Sequence, residues 1–273
     1  MNITIQNLTF SYNSTPTLNN VSLQLHESEV LGMAGPNGSG KSTLLKCINK
    51  ILEPKQGKIL LDQQPITKIN RLEIAKKIGY APQSTNSSET ISVFEMVLMG
   101  RRPHITWQSS QKDEEKVWKA LKTLSIEKLA TRNYHELSGG EQQRVIVARS
   151  IAQEAKVLLL DEPTSNLDIR HQLEVMDLTR KLVLNENLAA AIAIHDLNLA
   201  ARFCDKIIMM KEGKIFATGQ TITVLTAENI RDVYGIEVII NYYKNTPYII
   251  PITPLNQHNT SPNNQSTLQK NQN

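Results

Sequence analysis

The sequence predicts an α/β fold that carries an N-terminal antiparallel β subdomain and an inserted α-helical subdomain. Over about the first thirty residues, apolar positions alternate with polar ones, as they do in half-buried strands. The short continuous apolar runs VLGMA and VLLLD are typical of buried parallel strands, and helical patterns separate them. Between about 90 and 153, helical periodicity replaces the strand signals, which indicates an insertion into the core.

The other elements follow from the same two periodicities. The helix in KSTLLKCINKIL is expected to end before Pro54, which cannot continue a helix, and GKILLD follows as a strand. The insertion has helical patterns in SVFEMVLMG, QKDEEKVWKALKTL and GEQQRVIVARSIAQ. After KVLLLDEP we expect the helix IRHQLEVMDLTRKLVL, the strand LAAAIAIH, the helix DLNLAARFC, two strands in KIIMMKEGKIFATG, the short helix AENIRDVYG and a strand pair in EVIINYYKNTPYIIPI. The polar segment 256–273 has too few apolar residues to order, so it is predicted to be a disordered tail.

Composition limits the class of protein. The chain has 273 residues, 40% of them hydrophobic, which is enough for one sizeable core with a smaller lobe attached. The formal net charge is +4 and no long Lys/Arg block occurs, so a mildly basic solvated surface is favoured over nucleic-acid binding. Cys47 and Cys204 lie in apolar patterns without a CxxC pair, which favours buried thiols in a reducing compartment over a zinc site.

No segment matches a secretory signal or a membrane-spanning helix. The stretch MNITIQNLTF lacks both a basic region and an apolar region. The stretch NLAAAIAIHDLNLAA is interrupted by His195 and Asp196 before it reaches the ~20 apolar residues that a spanning helix needs. We therefore expect a soluble chain that reaches a membrane only through a partner.

The stretch GPNGSGKST matches the pattern G-x-x-x-x-G-K-[ST] between a predicted strand and a predicted helix. There the glycines let backbone N–H groups surround phosphates, and the helix N-terminus adds partial positive charge. Lys41 can reach the β- and γ-phosphates, and the Ser42 hydroxyl can bind Mg²⁺. An ordinary turn is the alternative, and the loop alone does not distinguish a kinase, a GTPase or a motor. The predicted phosphate-binding residues are Gly35, Pro36, Asn37, Gly38, Ser39, Gly40, Lys41, Ser42 and Thr43.

Polar residues also follow other predicted strands. Asp161 and Glu162 end the run VLLLDE, where an aspartate suits Mg²⁺ and the next carboxylate can polarise an attacking water; capping of a turn is the alternative. His195 follows a neighbouring strand and could hold the γ-phosphate, although a satisfied core or turn histidine is the other interpretation. Gln83, after the strand in GYAPQ, could bind Mg²⁺ or hold the water, and alone it is a weak signal.

The segment YHELSGGEQQRVIVARSIA, with LSGGE at 137–141, resembles the signature region of ABC-transporter ATPases. The other motifs follow in that family's order: Walker A at 35–43, Gln83 as the Q-loop, Walker B at 161–162, the D-loop SNLD at 165–168 and His195 as the H-loop. Tyr12 resembles the aromatic residue that stacks on adenine. The resemblance covers about residues 1–255, as one ATPase domain with the helical subdomain at about 90–153 inserted in it.

The resemblance implies a P-loop NTPase with a RecA-like core that binds ATP and Mg²⁺. It implies a head-to-tail homodimer, in which each ATP lies between the Walker A loop of one subunit and the signature of the other. The implied catalytic residues are Lys41, Gln83, Glu162 as general base, and His195; the implied magnesium ligands are Ser42, Gln83 and Asp161. The residues implied to act across the interface are Ser138, Gly139, Gly140 and Glu141 on the ATP and Asp168 in the D-loop.

Within the family, SVFEMVLMGRRPH, LDIRHQLEVMDLTRKL and the pair HDLNLAARFCD with LTAENIRDVYGIEV resemble importer ATPases for iron–siderophore, haem and cobalamin uptake. This implies a separate subunit at the cytoplasmic face of the membrane, bound to two permease subunits and served by an extracytoplasmic binding protein. Ferric siderophore is the expected substrate, followed by haem, cobalamin and molybdate-type oxyanions. Residues 99–102 would help form the permease docking groove; a solvated pair on a loop is the alternative for Arg101 and Arg102.

Two other functions stay open on the sequence alone. A soluble ABC ATPase acting on nucleic acid or the ribosome usually has two ATPase domains or a long coiled coil. This chain has neither pattern, so no nucleic-acid partner is expected. A regulatory nucleotide-binding module without turnover is disfavoured by Glu162 and His195.

Overall fold

The structure is a computed structural model that describes residues 1–83, 90–165 and 167–255. The predicted disordered tail, 256–273, lies outside the described residues, as does Asn166 of the predicted D-loop. The strands are β1 (Ile3–Phe10), β2 (Leu18–Leu25), β3 (Val30–Ala34), β4 (Gln56–Leu61), β5 (Gln64–Pro65), β6 (Ile78–Ala81), β7 (Val157–Asp161), β8 (Ala189–Ala193), β9 (Lys206–Lys211), β10 (Lys214–Gln220), β11 (Ile236–Tyr243) and β12 (Thr246–Pro254).

The α-helices are α1 (Lys41–Ile48), α2 (Arg71–Lys77), α3 (Val93–Leu98), α4 (Gln111–Thr123), α5 (Gly139–Ala152), α6 (Ile169–Asn185), α7 (Leu197–Phe203), α8 (Thr221–Val224) and α9 (Ala227–Tyr234). Short 3₁₀ segments occur at Ile66–Lys68, Met99–His104, Glu127–Leu129 and Tyr134–Glu136. Within the described ranges, none of the helices combines the length and the apolar character needed to cross a membrane.

The central sheet has the strand order β10-β9-β3-β8-β7-β6. Its neighbouring strands are parallel, except that β10 pairs antiparallel with β9. Strand β7 is buried on both faces, because Leu158 and Leu160 join one hydrophobic core while Val157 and Leu159 join another on the opposite face. This two-sided burial accounts for the continuous apolar run in its sequence.

The N-terminal antiparallel subdomain is confirmed as the sheet β2-β1-β4-β5. Ile5 lies opposite Leu23 on one side and Ile59 on the other. The inward residues Ile3, Ile5 and Leu8 belong to the core that also contains α1 and one face of the central sheet. The alternating pattern of the first thirty residues is therefore the pattern of a sheet with one buried face.

The helical insertion is confirmed as α3, α4 and α5, which pack against one another. Each begins at a serine that forms a capping box with an acidic residue three positions later, as Ser138 does with Glu141. Between 90 and 153 the structure contains no strand longer than an isolated bridge, which joins Ser92 and Asn133. The domain boundaries near 90, 153 and 255 stay predictions.

Helix α1 is shorter than predicted, because it ends at Ile48 rather than at Leu52. Lys50 adopts a left-handed φ of 55° and closes a Schellman motif. In that motif the Ile51 N–H donates to the Lys46 carbonyl at 2.9 Å, and the Lys50 N–H donates to the Cys47 carbonyl at 3.1 Å. Local hydrogen bonding therefore ends the helix before its apolar pattern does.

Arg101 is buried, so the interpretation of Arg101 and Arg102 as a solvated pair is wrong for Arg101. Arg101 is only 5% exposed. Its Nε donates to Asp113 Oδ1 at 3.0 Å, and its Nη1 donates to Glu154 Oε2 at 2.9 Å and to the Ala152 carbonyl at 2.8 Å. Arg101 thus ties the start of α4 to the end of α5, and only Arg102 is exposed.

We expect Arg101→Ala to lower the free energy of unfolding by about 3 kcal/mol, because it leaves the buried Asp113 carboxylate without its cation. Arg102→Ala is the matched control and should change that free energy by less than about 0.5 kcal/mol. Urea denaturation measures both variants, and equal losses in the two would contradict the structural role of Arg101.

Candidate functional site

The glycine loop, Gln83, the Asp161–Glu162 pair and His195 meet at one edge of the central sheet, where β3, β6, β7 and β8 end. Because these strands are parallel, their carboxyl ends lie at the same edge. The glycine loop follows β3, Gln83 follows β6, Asp161 ends β7, and His195 lies two residues beyond β8. Since β8 lies between β3 and β7, the His195 segment emerges between the glycine loop and the carboxylates.

Close backbone packing determines the path of the glycine loop. A Cβ on Gly35, where φ is 150°, would lie 2.3 Å from the Met210 carbonyl oxygen. A Cβ on Gly40, where φ is 105°, would lie 3.0 Å from the Thr17 carbonyl oxygen. The Gly213 N–H, in the turn between β9 and β10, donates to the Ser39 carbonyl at 3.2 Å. Glycine at positions 35 and 40 is therefore required by the backbone itself.

The loop and the start of α1 fit a phosphate group. The N–H groups in the first turn of α1 have no partner within the helix and carry partial positive charge, and no side chain of the described residues caps them. The Ser39 hydroxyl is buried and has no hydrogen-bond partner among the described residues. A cavity of about 130 Å³ at this point is lined by Thr17, Asn37, Gly38, Gly40, Lys41, Ser42, Thr43 and Glu162.

The Lys41 ammonium lies within the loop. Its Nζ donates to the carbonyl oxygens of Gly35 at 2.7 Å and Pro36 at 3.1 Å. Burial lowers the pKa of this ammonium, and the carboxylates of Glu162 and Asp161 partly oppose the shift. Among the described residues, the hydrogen bonds of this buried cation go to neutral carbonyl groups, so it can bind a phosphate oxygen at little further cost in desolvation.

Two hydroxyl groups hold the Asp161 carboxylate. Ser42 Oγ donates to Oδ1 at 2.7 Å, and Tyr80 Oη donates to Oδ2 at 3.1 Å. Burial raises the pKa of Tyr80, and the Asp161 charge adds to the shift, so this hydroxyl stays a donor. Hydroxyl and carboxylate oxygens suit Mg²⁺, which needs few protein ligands when it also binds substrate phosphates. Ser42 and Asp161 therefore fit a magnesium ion bound beside the glycine loop.

The Glu162 carboxylate is held from two sides. Gln83 Nε2 donates to Oε2 at 2.6 Å, and His195 Nε2 donates to Oε1 at 2.5 Å. The Glu162 backbone has a left-handed φ of 53°, which is unusual for glutamate, and its carbonyl accepts both the N–H (3.1 Å) and the hydroxyl (2.9 Å) of Ser165. No hydrogen bond among the described residues joins Gln83 to Ser42 or Asp161, so the magnesium role of Gln83 stays a prediction.

The signature residues 138–141 form a separate group at the start of α5. The Glu141 carboxylate accepts the Ser138 N–H at 2.9 Å and the Ser138 hydroxyl at 2.8 Å. In the part of the chain that the structure describes, no hydrogen bond or ion pair joins this group to the glycine loop. Gly140 packs instead against His171 of α6, a helix whose N-cap is Asp168 of the predicted D-loop.

Tyr12 is 58% exposed and lies edge-on to Phe10, with ring centroids 4.9 Å apart. Its ring is open to solvent, and contact with adenine stays a prediction.

The sequence interpretation missed three residues, Thr17, Tyr80 and His171. Tyr80 lies three residues before Gln83 on β6, and only the pairing of β6 with β7 brings its hydroxyl to Asp161.

The fold and the site define a P-loop nucleotide hydrolase, with its lysine, its hydroxyl–carboxylate pair and its oriented glutamate at the carboxyl edge of a parallel sheet. A family model described as ABC transporter matches residues 18–165. The chain belongs to the ABC transporter family, as an ATP-binding subunit with ATPase activity.

Similar proteins extend this result. The chain is 47% identical over 252 residues to an ABC transporter ATP-binding protein of Methanocaldococcus jannaschii, covering 92% of this chain and 98% of the relative. It is 39% identical over 248 residues to the petrobactin import ATP-binding protein FpuD of Bacillus anthracis, covering 89% of this chain and 91% of the relative.

Two solved structures share the fold. One is an inward-facing transporter assigned to the metal-chelate type, which is 31% identical with a TM-score of 0.82 and covers 92% of this chain and 96% of its own. The other is a post-hydrolysis dimer of an ATP-binding cassette bound to ADP and Pi, which is 28% identical with a TM-score of 0.71 and covers 80% of this chain and 98% of its own.

We expect Tyr80→Phe to raise the Mg²⁺ concentration for half-maximal ATPase activity by about tenfold, because the Asp161 carboxylate loses the hydroxyl that orients it. The maximal rate at saturating Mg²⁺ should change much less. Magnesium titrations of the ATPase rate measure the effect, with Tyr12→Phe as a control on a tyrosine that does not contact Asp161. An unchanged magnesium requirement in Tyr80→Phe would show that Asp161 is oriented without it.

Proposed function

We propose that the chain is the ATP-hydrolysing subunit of an importer for a metal chelate, with ferric siderophore as the leading substrate and haem or cobalamin next. The observation that carries the hydrolytic part is the Glu162 carboxylate, held between Gln83 and His195 beside the Lys41 loop. The import part rests on similarity to FpuD, which is named for petrobactin import, and to the metal-chelate type transporter.

In the proposed reaction, water attacks the γ-phosphorus of ATP, and the bond from that phosphorus to the bridging oxygen of ADP breaks. Glu162 accepts the proton of the water, since each of its oxygens keeps a lone pair beyond the bond from Gln83 or His195. Lys41 exchanges its two carbonyl partners for phosphate oxygens and offsets the charge of the transition state. A magnesium ion held by Ser42 and Asp161 would supply further positive charge to the phosphates.

The signature supports a head-to-tail homodimer. The start of α5 is a second helix N-terminus suited to an anion, and within one chain it has no hydrogen bond to the glycine loop, among the residues described. A dimer with two equivalent interfaces would bring the partner subunit's signature to the ATP bound by this subunit. The similar cassette that was solved as a dimer with ADP and Pi supports this arrangement.

A groove on the helical insertion supports binding to a permease. Its volume is about 410 Å³, and the large apolar side chains of Met99 and Trp107 in its wall are 47% and 89% exposed, so the groove offers apolar surface to a partner. We propose that a permease loop binds here, which would hold the chain at the cytoplasmic face of the membrane with two permease subunits and, indirectly, a binding protein. The groove is lined by Thr90, Ile91, Glu95, Leu98, Met99, Arg102, Ile105, Trp107 and Ser109.

We expect Glu162→Gln to slow ATP hydrolysis by at least about 100-fold, because it removes the general base, and to trap an ATP-bound dimer. Light scattering during gel filtration in saturating MgATP measures the dimer. Adding Lys41→Ala to the same variant is the control, and this double variant should stay monomeric, because it loses the phosphate contact.

A Glu162→Gln variant that stays monomeric in saturating MgATP would contradict the dimer. Near-wild-type hydrolysis by Lys41→Ala alone would contradict the assignment of the glycine loop.

We expect the ATPase rate to rise when the chain is reconstituted in vesicles with a permease for a metal chelate and with a loaded binding protein. Ferric siderophore, haem and cobalamin are tested in turn as the bound substrate, with accumulation inside the vesicles as the second measurement. DNA and RNA are the controls. Stimulation by nucleic acid and not by the permease would contradict the import function and would support a soluble ATPase that acts on nucleic acid or the ribosome.

A further inference from the structure

His171, on the first turn of α6, contacts both elements that the proposed dimer presents to its partner. The imidazole Nδ1 donates to Asp168 Oδ1 at 2.8 Å, and the His171 backbone N–H donates to the same oxygen at 2.9 Å. The same ring lies against the signature residue Gly140. Neither contact involves the glycine loop or the carboxylates of Asp161 and Glu162.

The contact with Gly140 leaves no space for a side chain. A Cβ added at Gly140 would lie 2.8 Å from both Cγ and Cδ2 of His171 and 3.3 Å from its Cβ. Such distances are well inside van der Waals contact, so the ring is packed directly over the backbone of the signature helix. A side chain at position 140 would therefore have to displace the His171 ring of the same subunit.

The contact with Asp168 fixes the carboxylate of the D-loop. Asp168 caps α6, and its hydrogen bonds from His171 lower the pKa of the carboxyl group. The Asp168 side chain is 66% exposed, so the carboxylate is held in place while it remains accessible to another molecule.

A second link joins the same two helices one turn further on. Arg144 of α5 forms an ion pair with Glu174 of α6, and Arg170 Nε donates to the other oxygen of Glu174 at 2.9 Å. His171 and Glu174 are three residues apart, so they lie on the same face of α6. The starts of α5 and α6 are thus joined at two successive turns.

We propose that His171 is a positioning residue that joins the D-loop to the signature within one subunit, so that both reach the partner's ATP as one rigid unit. This inference rests on the proposed head-to-tail dimer. His171 does not touch ATP; it acts through Asp168 and Gly140. Without the contacts of His171, the signature and the D-loop would be ordered separately. Closing the dimer would then cost more conformational entropy.

The test uses dimerisation of the full chain in the Glu162→Gln background. His171→Asn keeps a donor nitrogen close to the position of Nδ1, whereas His171→Gln moves it one bond further along the side chain. We expect His171→Gln to raise the protein concentration for half-maximal dimerisation in MgATP by about five- to tenfold, because a hydrogen bond to a charged group is lost. His171→Asn should stay within about twofold of the parent.

The affinity of the monomer for fluorescent ATP shows whether a variant that dimerises poorly is misfolded. We expect this affinity to be the same in both His171 variants. Equal dimerisation of His171→Gln and the parent would overturn the inference and leave the proposed dimer intact. A parent that does not dimerise would overturn both.

A stability cycle tests the contact with Gly140 without reference to the dimer. We expect Gly140→Ala to lower the urea midpoint of the otherwise unchanged chain, because the new methyl group meets the His171 ring. In the His171→Ala background the same change should lower it much less, since alanine is otherwise the better helix former. Equal losses in the two backgrounds would show that the ring does not pack over Gly140, and the inference would fail.

Discussion

The site depends on how two adjacent carboxylates, Asp161 and Glu162, are held apart at the end of one buried strand. Like charges this close destabilise each other unless each has its own donors. Asp161 is bound by the hydroxyls of Ser42 and Tyr80, whereas Glu162 is bound by Gln83 and His195. The Glu162 backbone between them has a left-handed φ of 53°. With separate donors, we expect the Asp161 carboxylate to bind a metal and the Glu162 carboxylate to accept a proton.

The fold provides the separate donors that these two carboxylates require. The two carboxylates lie at the end of β7, and their donors come from three other chain segments, after β3, on or after β6, and after β8, which the parallel sheet brings to one edge. The glycine loop needs the same sheet, because the Met210 carbonyl of β9 leaves no space for a side chain at Gly35, and the Gly213 N–H in the turn after β9 donates to the Ser39 carbonyl. The catalytic geometry is therefore a property of the strand order rather than of any one loop.

Much of this arrangement could be predicted from the sequence, because it depends on residues close together in the chain. The glycine loop, the acidic strand end and the alternating first strands all carry their pattern locally. The burial of Arg101 could not be predicted, because its partners Asp113 and Glu154 lie on other elements. The early end of α1 depends on a left-handed Lys50, a residue type that gives no such signal. Tyr80 and His171 were missed for the first reason, since their partners are brought close only by the sheet and by the packing of α5 on α6.

The central claim is that one nucleotide is bound by two chains. The most direct measurement is a structure of the hydrolysis-deficient protein with MgATP, resolved well enough to assign each phosphate contact to a chain. The account predicts that every γ-phosphate touches Lys41 of one subunit and the partner subunit's Ser138. A bound triphosphate whose protein contacts all come from a single chain would contradict it.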